Sequence, residues 1–331
     1  MFLDRFTAKH PDASKICRGI CLGTILLCGL SQHSIHGQQP ATTQADPLQP
    51  IRALVSAGQW EDSEKALRGY LADHPSSADA HFLLGYTLFR EQRAKDSLAE
   101  FTEGAKFRRP DAADLKVVAA DYVLLGAYND ADTWLSEVTK ETPRDAEAWY
   151  LLGRAKYNEN RFAEAILAFD QVLSLQPNDV RAKDNQGLSY QGLNQIEEAK
   201  AAFETAIAWQ ANAPLKSAQP YLNLGVLLMD RDKAQEALPY LEQAATLAPR
   251  NPKVLEELGR AYGELKQMDK AQHELQQAVA LAPNISGLHF KLGLIYRQQG
   301  MSQQAQQEFD ICARLNSTHS SAETPNPASP N

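Results

Sequence analysis

The sequence predicts an all-α solenoid of stacked helix pairs, and three observations carry that prediction. Seven small residues, Gly85, Ala119, Gly153, Gly187, Gly225, Gly259 and Gly293, are separated by 34, 34, 34, 38, 34 and 34 residues. A fixed period of that size marks one supersecondary unit repeated along the chain. Around each small residue, large apolar side chains return at helical spacings of three and four. A proline then closes the unit, as at Pro177, Pro249 and Pro283, where a helix cannot continue.

Each unit reads as two helices. In the third copy, Trp149, Leu152, Gly153 and Tyr157 mark the first helix, and Ala165, Phe169 and Val172 mark the second. The copy ending at Pro249 repeats this with Tyr221, Leu224, Gly225 and Leu228, then Ala237, Leu241 and Ala244. The next has Leu255, Leu258, Gly259 and Tyr262, then Ala271, Leu275 and Ala278; the last has Leu292, Gly293 and Tyr296, then Ala305, Phe309 and Cys312. The small residue in each helix removes a side chain so that its partner can approach closely. Glycine there costs up to about 1 kcal/mol of helix propensity, which packing must offset.

This pattern resembles the tetratricopeptide repeat, a 34-residue helix-turn-helix. The copies are 78–111, 112–145, 146–179, 180–217, 218–251, 252–285 and 286–319, with a divergent copy at 44–77 that carries Trp60, Leu67, Tyr70 and Pro75. The resemblance implies a right-handed superhelical solenoid over residues 47–315. The copy at 180–217 departs from the pattern: Lys183 and Gln186 stand where large apolar residues are expected. Its four extra residues fall in Ala211–Ser217 and read as a longer connection between helices. The copy at 112–145 has Ala119 in place of glycine.

The resemblance also implies a function: a scaffold or adaptor binding a partner peptide or helix in a concave groove lined by the first helices. Reading the inward places of each copy gives Phe82, Tyr86, Phe89, Tyr150, Arg154, Tyr157, Asn185 and Asn223 as partner-binding candidates. Aromatics beside arginine are the usual chemistry of binding hot spots. The two asparagines occupy the place from which some family members hold a peptide backbone. For Phe82 and Phe89, packing on the divergent first copy is the alternative. Lys116 is followed by Ala120 rather than the asparagine of a carboxylate clamp, so that clamp is incomplete.

Composition excludes other classes. The formal net charge of −8 argues against binding a phosphate backbone, which needs clustered lysine and arginine. No phosphate-cradling glycine loop, GxSxG elbow or HExxH spacing occurs. His81 and His289 sit at large-residue places of first helices and read as packing residues. Glu256 and Glu257 are adjacent on a helix and point apart, so they are no acid/base dyad. An enzyme, a cofactor, a metal site and a small-molecule substrate are therefore not expected.

The ends read differently. Lys9, Lys15 and Arg18 precede an apolar run from Gly19 to Leu30, followed by a polar stretch. That is the order of a secretory signal over residues 1–37. The run is too short for a transmembrane helix of roughly 20 residues. Export to the periplasm or outside the cell is the expectation; a retained leader tethering the chain to a membrane is the alternative. Cleavage would leave Cys312 as the sole cysteine, with no intramolecular disulfide. Residues 38–46 read as a flexible linker, and 316–331 as a disordered tail. No extra polar helix follows the last repeat. Gln303, Gln304, Gln306 and Gln307 cap its final helix by themselves, or Ile311 and Leu315 pair with a second copy as a homodimer.

Overall fold

The computed structural model describes residues 46–322, with side chains through Ser317. The expected leader, nearly all of the expected linker and residues 323–331 lie outside the described residues. Among the described residues, sixteen helices follow one another and no strand occurs. They fall into two compact units, divided between Arg161 and Phe162.

The first unit contains α1 (Gln49–Ser56), α2 (Trp60–Asp73), α3 (Ala78–Arg90), α4 (Ala94–Ala105), α5 (Ala112–Leu124), α6 (Tyr128–Glu141) and α7 (Ala146–Asn158). The divergent first copy is thus a helix pair like the others. Its Leu48, Ile51 and Leu67 join Ala80, Leu84 and Leu88 of the next pair in one buried cluster. The first helices α3 and α5 also touch each other directly.

The second unit contains α8 (Phe162–Leu175), α9 (Val180–Gly192), α10 (Ile196–Trp209), α11 (Gln219–Met229), α12 (Ala234–Leu247), α13 (Pro252–Glu264), α14 (Met268–Leu281), α15 (Ser286–Gln298) and α16 (Ser302–Ala322). Its core runs without a break from Ala199 and Phe203 through Leu224, Leu241 and Leu258 to Leu292 and Ala305.

Local chemistry explains why the chain turns where it does. In most copies the last residue caps the first helix of the next. Asp111 accepts from the Asp114 amide at 2.9 Å, Asp145 from Ala148 at 3.1 Å and Asp179 from Ala182 at 2.9 Å. Such a cap satisfies an amide the helix leaves orphaned, worth about 1 kcal/mol. Between the two helices of each copy, one residue adopts a left-handed backbone. Gln92, Gly126, Asn160, Asn194, Asp232, Lys266 and Gly300 all have φ between 57° and 78°. They stand on the same ruler as the small residues.

The small residues themselves seat a large one sixteen places on. A Cβ on Gly85 would meet the Phe101 ring at 2.8 Å, and one on Gly293 would meet the Phe309 ring at 2.5 Å. The equivalent pair Ala119 and Leu135, both fully buried, trades a larger small residue for a smaller partner.

Two connections differ from the expected boundaries or explain them. The extra residues of the fourth copy do lie between helices, from the end of α10 at Trp209 to the start of α11 at Gln219. Buried Gln210 pins that loop: its Nε2 donates to the Ser217 carbonyl at 2.9 Å, and its Oε1 accepts from the Ser217 amide at 2.8 Å. At the end of the chain, α16 runs on to Ala322, past the expected boundary at residue 315. Helix propagation costs little per residue once begun, and the first proline able to stop it is Pro325.

Candidate functional site

In the first unit, α1, α3 and α5 are the first helices of three successive copies, and they bound a groove of about 470 Å³. Phe82, Leu83, Tyr86, Phe101 and Val117 supply its apolar wall. The charges on its rim are paired: Arg108 lies 3.0 Å from Asp79, Lys116 lies 2.7 Å from Asp145, and Arg52 lies 3.0 Å from Asp46. The rim therefore offers hydrogen-bonding groups of both signs around an apolar floor.

Tyr86 links this groove to a cluster at its side. The Arg90 guanidinium lies 4.5 Å over the Trp60 ring and 5.8 Å from the Tyr86 ring, and donates to the Tyr86 hydroxyl at 2.9 Å. Trp60 and Tyr86 meet edge to face at 6.4 Å, and Phe89 stands 6.5 Å from Tyr86. The three rings are half-buried and Arg90 is exposed. Rigid rings with a fixed cation are suited to gripping an extended chain. The sequence reading placed Trp60 in the divergent copy but not at the site. It lies twenty-six or more residues from the others along the chain, in the copy whose sequence diverges from the repeat pattern.

The structure corrects several candidates. Phe82 is 3% exposed and stacks on Phe101 at 5.7 Å, so it forms wall and core rather than a free contact; packing is the reading that holds. Tyr150 is 8% exposed and lies within the packed face of α7. Arg154 is exposed and Tyr157 half-buried on the same helix. Asn185 turns its Nδ2 back to the Arg181 carbonyl of its own helix at 2.8 Å. Asn223 is buried and spends its amide on Asp184. Both asparagine amides are thus engaged within the chain. Ile311 and Leu315 are half-buried rather than standing exposed on α16.

The second unit holds polar groups inside its first helices. Asp184 is 4% exposed, and burial pushes its carboxyl up to about 7 against the lowering effect of the Asn223 hydrogen bond. Gln186, buried at a large-residue place, donates to Asp170 at 2.7 Å and accepts from Lys183 Nζ at 2.8 Å. Polar side chains thus replace apolar ones here by satisfying one another. Buried Glu257 is held by Lys253 at 2.7 Å and Arg260 at 3.3 Å, a structural ion cluster.

The histidines act as tethers. His81 Nδ1 lies 2.7 Å from Glu100 and its Nε2 3.0 Å from the Pro75 carbonyl; His289 repeats this with Glu308 at 2.6 Å and Pro283 at 2.9 Å. Trp149 Nε1 donates to the Pro143 carbonyl at 3.0 Å from the same place of its copy. Each ties the closing proline of one copy to the first helix of the next. Among the described residues, no group of three or more His, Cys, Asp or Glu side chains is placed to hold a metal ion.

Models of the tetratricopeptide repeat match residues 51–113, 146–179, 185–252 and 228–292, more than half of the chain. Among curated proteins, the chain is 28% identical over 152 residues to protein O-mannosyl-transferase TMTC3 of Mus musculus, covering 41% of this chain and 16% of that one. It is 28% identical over 162 residues to the BBSome complex member BBS4 homolog of Drosophila melanogaster, covering 45% and 32%. The chain thus spans a third or less of the length of these relatives. Among solved structures, a tetratricopeptide repeat protein from Parabacteroides merdae superposes with a TM-score of 0.62 at 18% identity, covering 75% of this chain and 96% of that one. That likeness shows the fold. Proteins of this kind serve as protein-interaction scaffolds and the fold is generally non-enzymatic. The recurring caps, left-handed turns and seated rings, together with the family models that match them, place the chain in the tetratricopeptide-repeat family.

Proposed function

We propose that this chain is a non-catalytic adaptor of the cell envelope that captures a segment of a protein partner on the α1, α3 and α5 face of its first unit. The observation that carries this is the groove of about 470 Å³ joined at Tyr86 to the Trp60, Phe89 and Arg90 cluster. An apolar wall with a rim of both charge signs suits a segment that presents apolar side chains and an unpaired backbone. Arg154 and Tyr157 extend the same chemistry on α7. The envelope location rests on the order of charged, apolar and polar stretches in residues 1–37. A retained leader would tether the same adaptor to a membrane.

The test is site-directed photo-crosslinking from position 89 in intact cells, with and without Tyr86→Ala. A partner crosslinked from Phe89 and lost with Tyr86→Ala supports the reading; identical crosslinking in both overturns it. The N-terminal sequence of the chain recovered from the envelope fraction tests export and cleavage. An accessory role beside an envelope enzyme keeps the same adaptor and differs in the partner. A second copy docking on α16 is the remaining alternative. It has less apolar surface to use, because Ile311 and Leu315 are half-buried.

A further inference from the structure

The turn edge of the copies carries a repeated pair of positions. The sixteenth residue of one copy faces the twenty-first residue of the copy before. In the first unit two of these pairs are ion pairs: Arg93 lies 2.8 Å from Glu64, and Arg161 lies 2.5 Å from Asp132. Burial works to raise both carboxyls. Hydrogen bonds from Arg68 and Arg93 outweigh it at Glu64, and those from Lys156 and Arg161 do so at Asp132. Elsewhere on this edge the same positions carry uncharged pairs: Ala127 with Leu98, Gln267 with Leu238, and Met301 with Gln272.

One pair in the second unit breaks the rule. There Lys233 follows Lys200, and both line a single cavity of about 240 Å³ together with Arg231. Glu197 is the one acidic side chain in its wall. Among the described residues, no carboxylate is hydrogen-bonded to these cations, and the two lysines keep only long ion pairs. Lys200 lies 3.8 Å from Glu204 and Lys233 lies 3.6 Å from Glu236, while Arg231 donates to the neutral Asn194 side chain at 3.2 Å. Like charges gathered at one place cost stability unless something neutralises them. Composition does not force them together, because the chain carries a net charge of −8. The floor of the cavity is apolar, formed by Ile196, Leu227 and Leu228.

We propose that this cavity is a second binding site, for an acidic peptide segment. Its carboxylates bridge Lys200, Lys233 and Arg231, and an apolar side chain between them rests against half-buried Ile196. A free inorganic anion would use the cations and leave the apolar floor unfilled, so the floor argues for a peptide. The site lies in the second unit and stands independently of the groove of the first.

The test is fluorescence anisotropy of a labelled peptide of alternating glutamate and leucine, titrated with the full chain. Lys200→Glu recreates the complementary pair found at Arg93 and Glu64. Its melting temperature is therefore expected to hold or rise while peptide affinity falls by about tenfold or more. Binding is expected to weaken steeply with salt and to persist in Tyr86→Ala/Phe89→Ala, which separates this site from the first. Should Lys200→Glu misfold, Lys200→Gln with Lys233→Gln serves in its place. Absence of saturable binding overturns the proposal, as does equal affinity of wild type and variant. So does equal affinity for a peptide of alternating lysine and leucine. Inorganic phosphate that binds where the peptide does not leaves a simple anion site and also overturns it.

Discussion

Asn223 closes a two-pronged bond on Asp184: its Nδ2 lies 2.9 Å from one carboxylate oxygen and 3.1 Å from the other. The Asn223 Oδ1 in turn accepts from Gln219 Nε2 at 2.9 Å. This chain of amides joins α9 to α11, the two first helices separated by the long connection.

The Asp184 carboxyl is pushed by burial from 3.8 up to about 7. Between those values the folded chain binds more protons than the unfolded one, so stability falls as pH rises from about 4 to about 7. Thermal melts across that window should show the decline. Asp184→Asn keeps the shape but cannot ionise, and should make the decline shallower; an unchanged slope would count against a role for this residue.

Asp121 in the first unit is a harsher case. It is fully buried, and among the described residues no donor stands in hydrogen-bond geometry to either carboxylate oxygen; the nearby Ser97 hydroxyl donates to the Gly85 carbonyl at 2.8 Å. Burial pushes its carboxyl up to about 7 as well, against the lowering effect of the nearby Ser97 hydroxyl. The equivalent place is Thr87 one copy earlier and Ala155 one copy later, both buried. Asp121→Ala should therefore stabilise the chain by about 1–3 kcal/mol at pH 8. A shift of the urea midpoint to higher concentration is the readout.

Gly85 and Phe101 form a pair in which one member sets the size of the other. Gly85→Ala alone should cost about 1–3 kcal/mol, since the new Cβ would meet the ring at 2.8 Å. Adding Phe101→Leu reproduces the neighbouring Ala119 and Leu135 pair and should recover part of that loss. A double-mutant cycle measures the coupling.

Much of this architecture was legible in the sequence. The ruler of small residues gave the helix pairs, and the four-residue excess at 211–217 lay in a connection. The caps at Asp111, Asp145 and Asp179 were equally periodic, as were the turn residues Asn160 and Asn194. They add nothing that the apolar spacing does not already specify about the fold. The candidate site was less legible. Periodicity says which helix face a residue occupies but not how deep it sits. Phe82 and Tyr150 share their inward place with exposed Phe290, yet both are covered by their neighbours. Asn223 was lost to an equally polar residue, Asp184, whose approach depends on a connection of non-standard length.

That distinction between depth and face can be measured. Tyr150→Ala should lower the melting temperature, with a cost of about 2–4 kcal/mol from the cavity it leaves. Tyr86→Ala should leave the melting temperature nearly unchanged and weaken partner capture. Thermal melts of both variants beside a capture assay separate the two effects.

The long connection should depend on one side chain. Gln210→Ala removes both hydrogen bonds to Ser217 and leaves exposed Leu215 on a looser loop. Limited proteolysis should then cut within 211–217 several-fold faster, with the helices around it intact.

The last hairpin lacks a device that most copies share. Ile285 stands where Asp111, Asp145, Asp179 and Asn251 act as caps, and α15 begins with no side-chain hydrogen bond at its start. Disassembly of the second unit therefore has a preferred direction. Amides of α15 and α16 should exchange with solvent before those of α13 and α14, and a protease or a mechanical pull reaching this end would find the thread already loose.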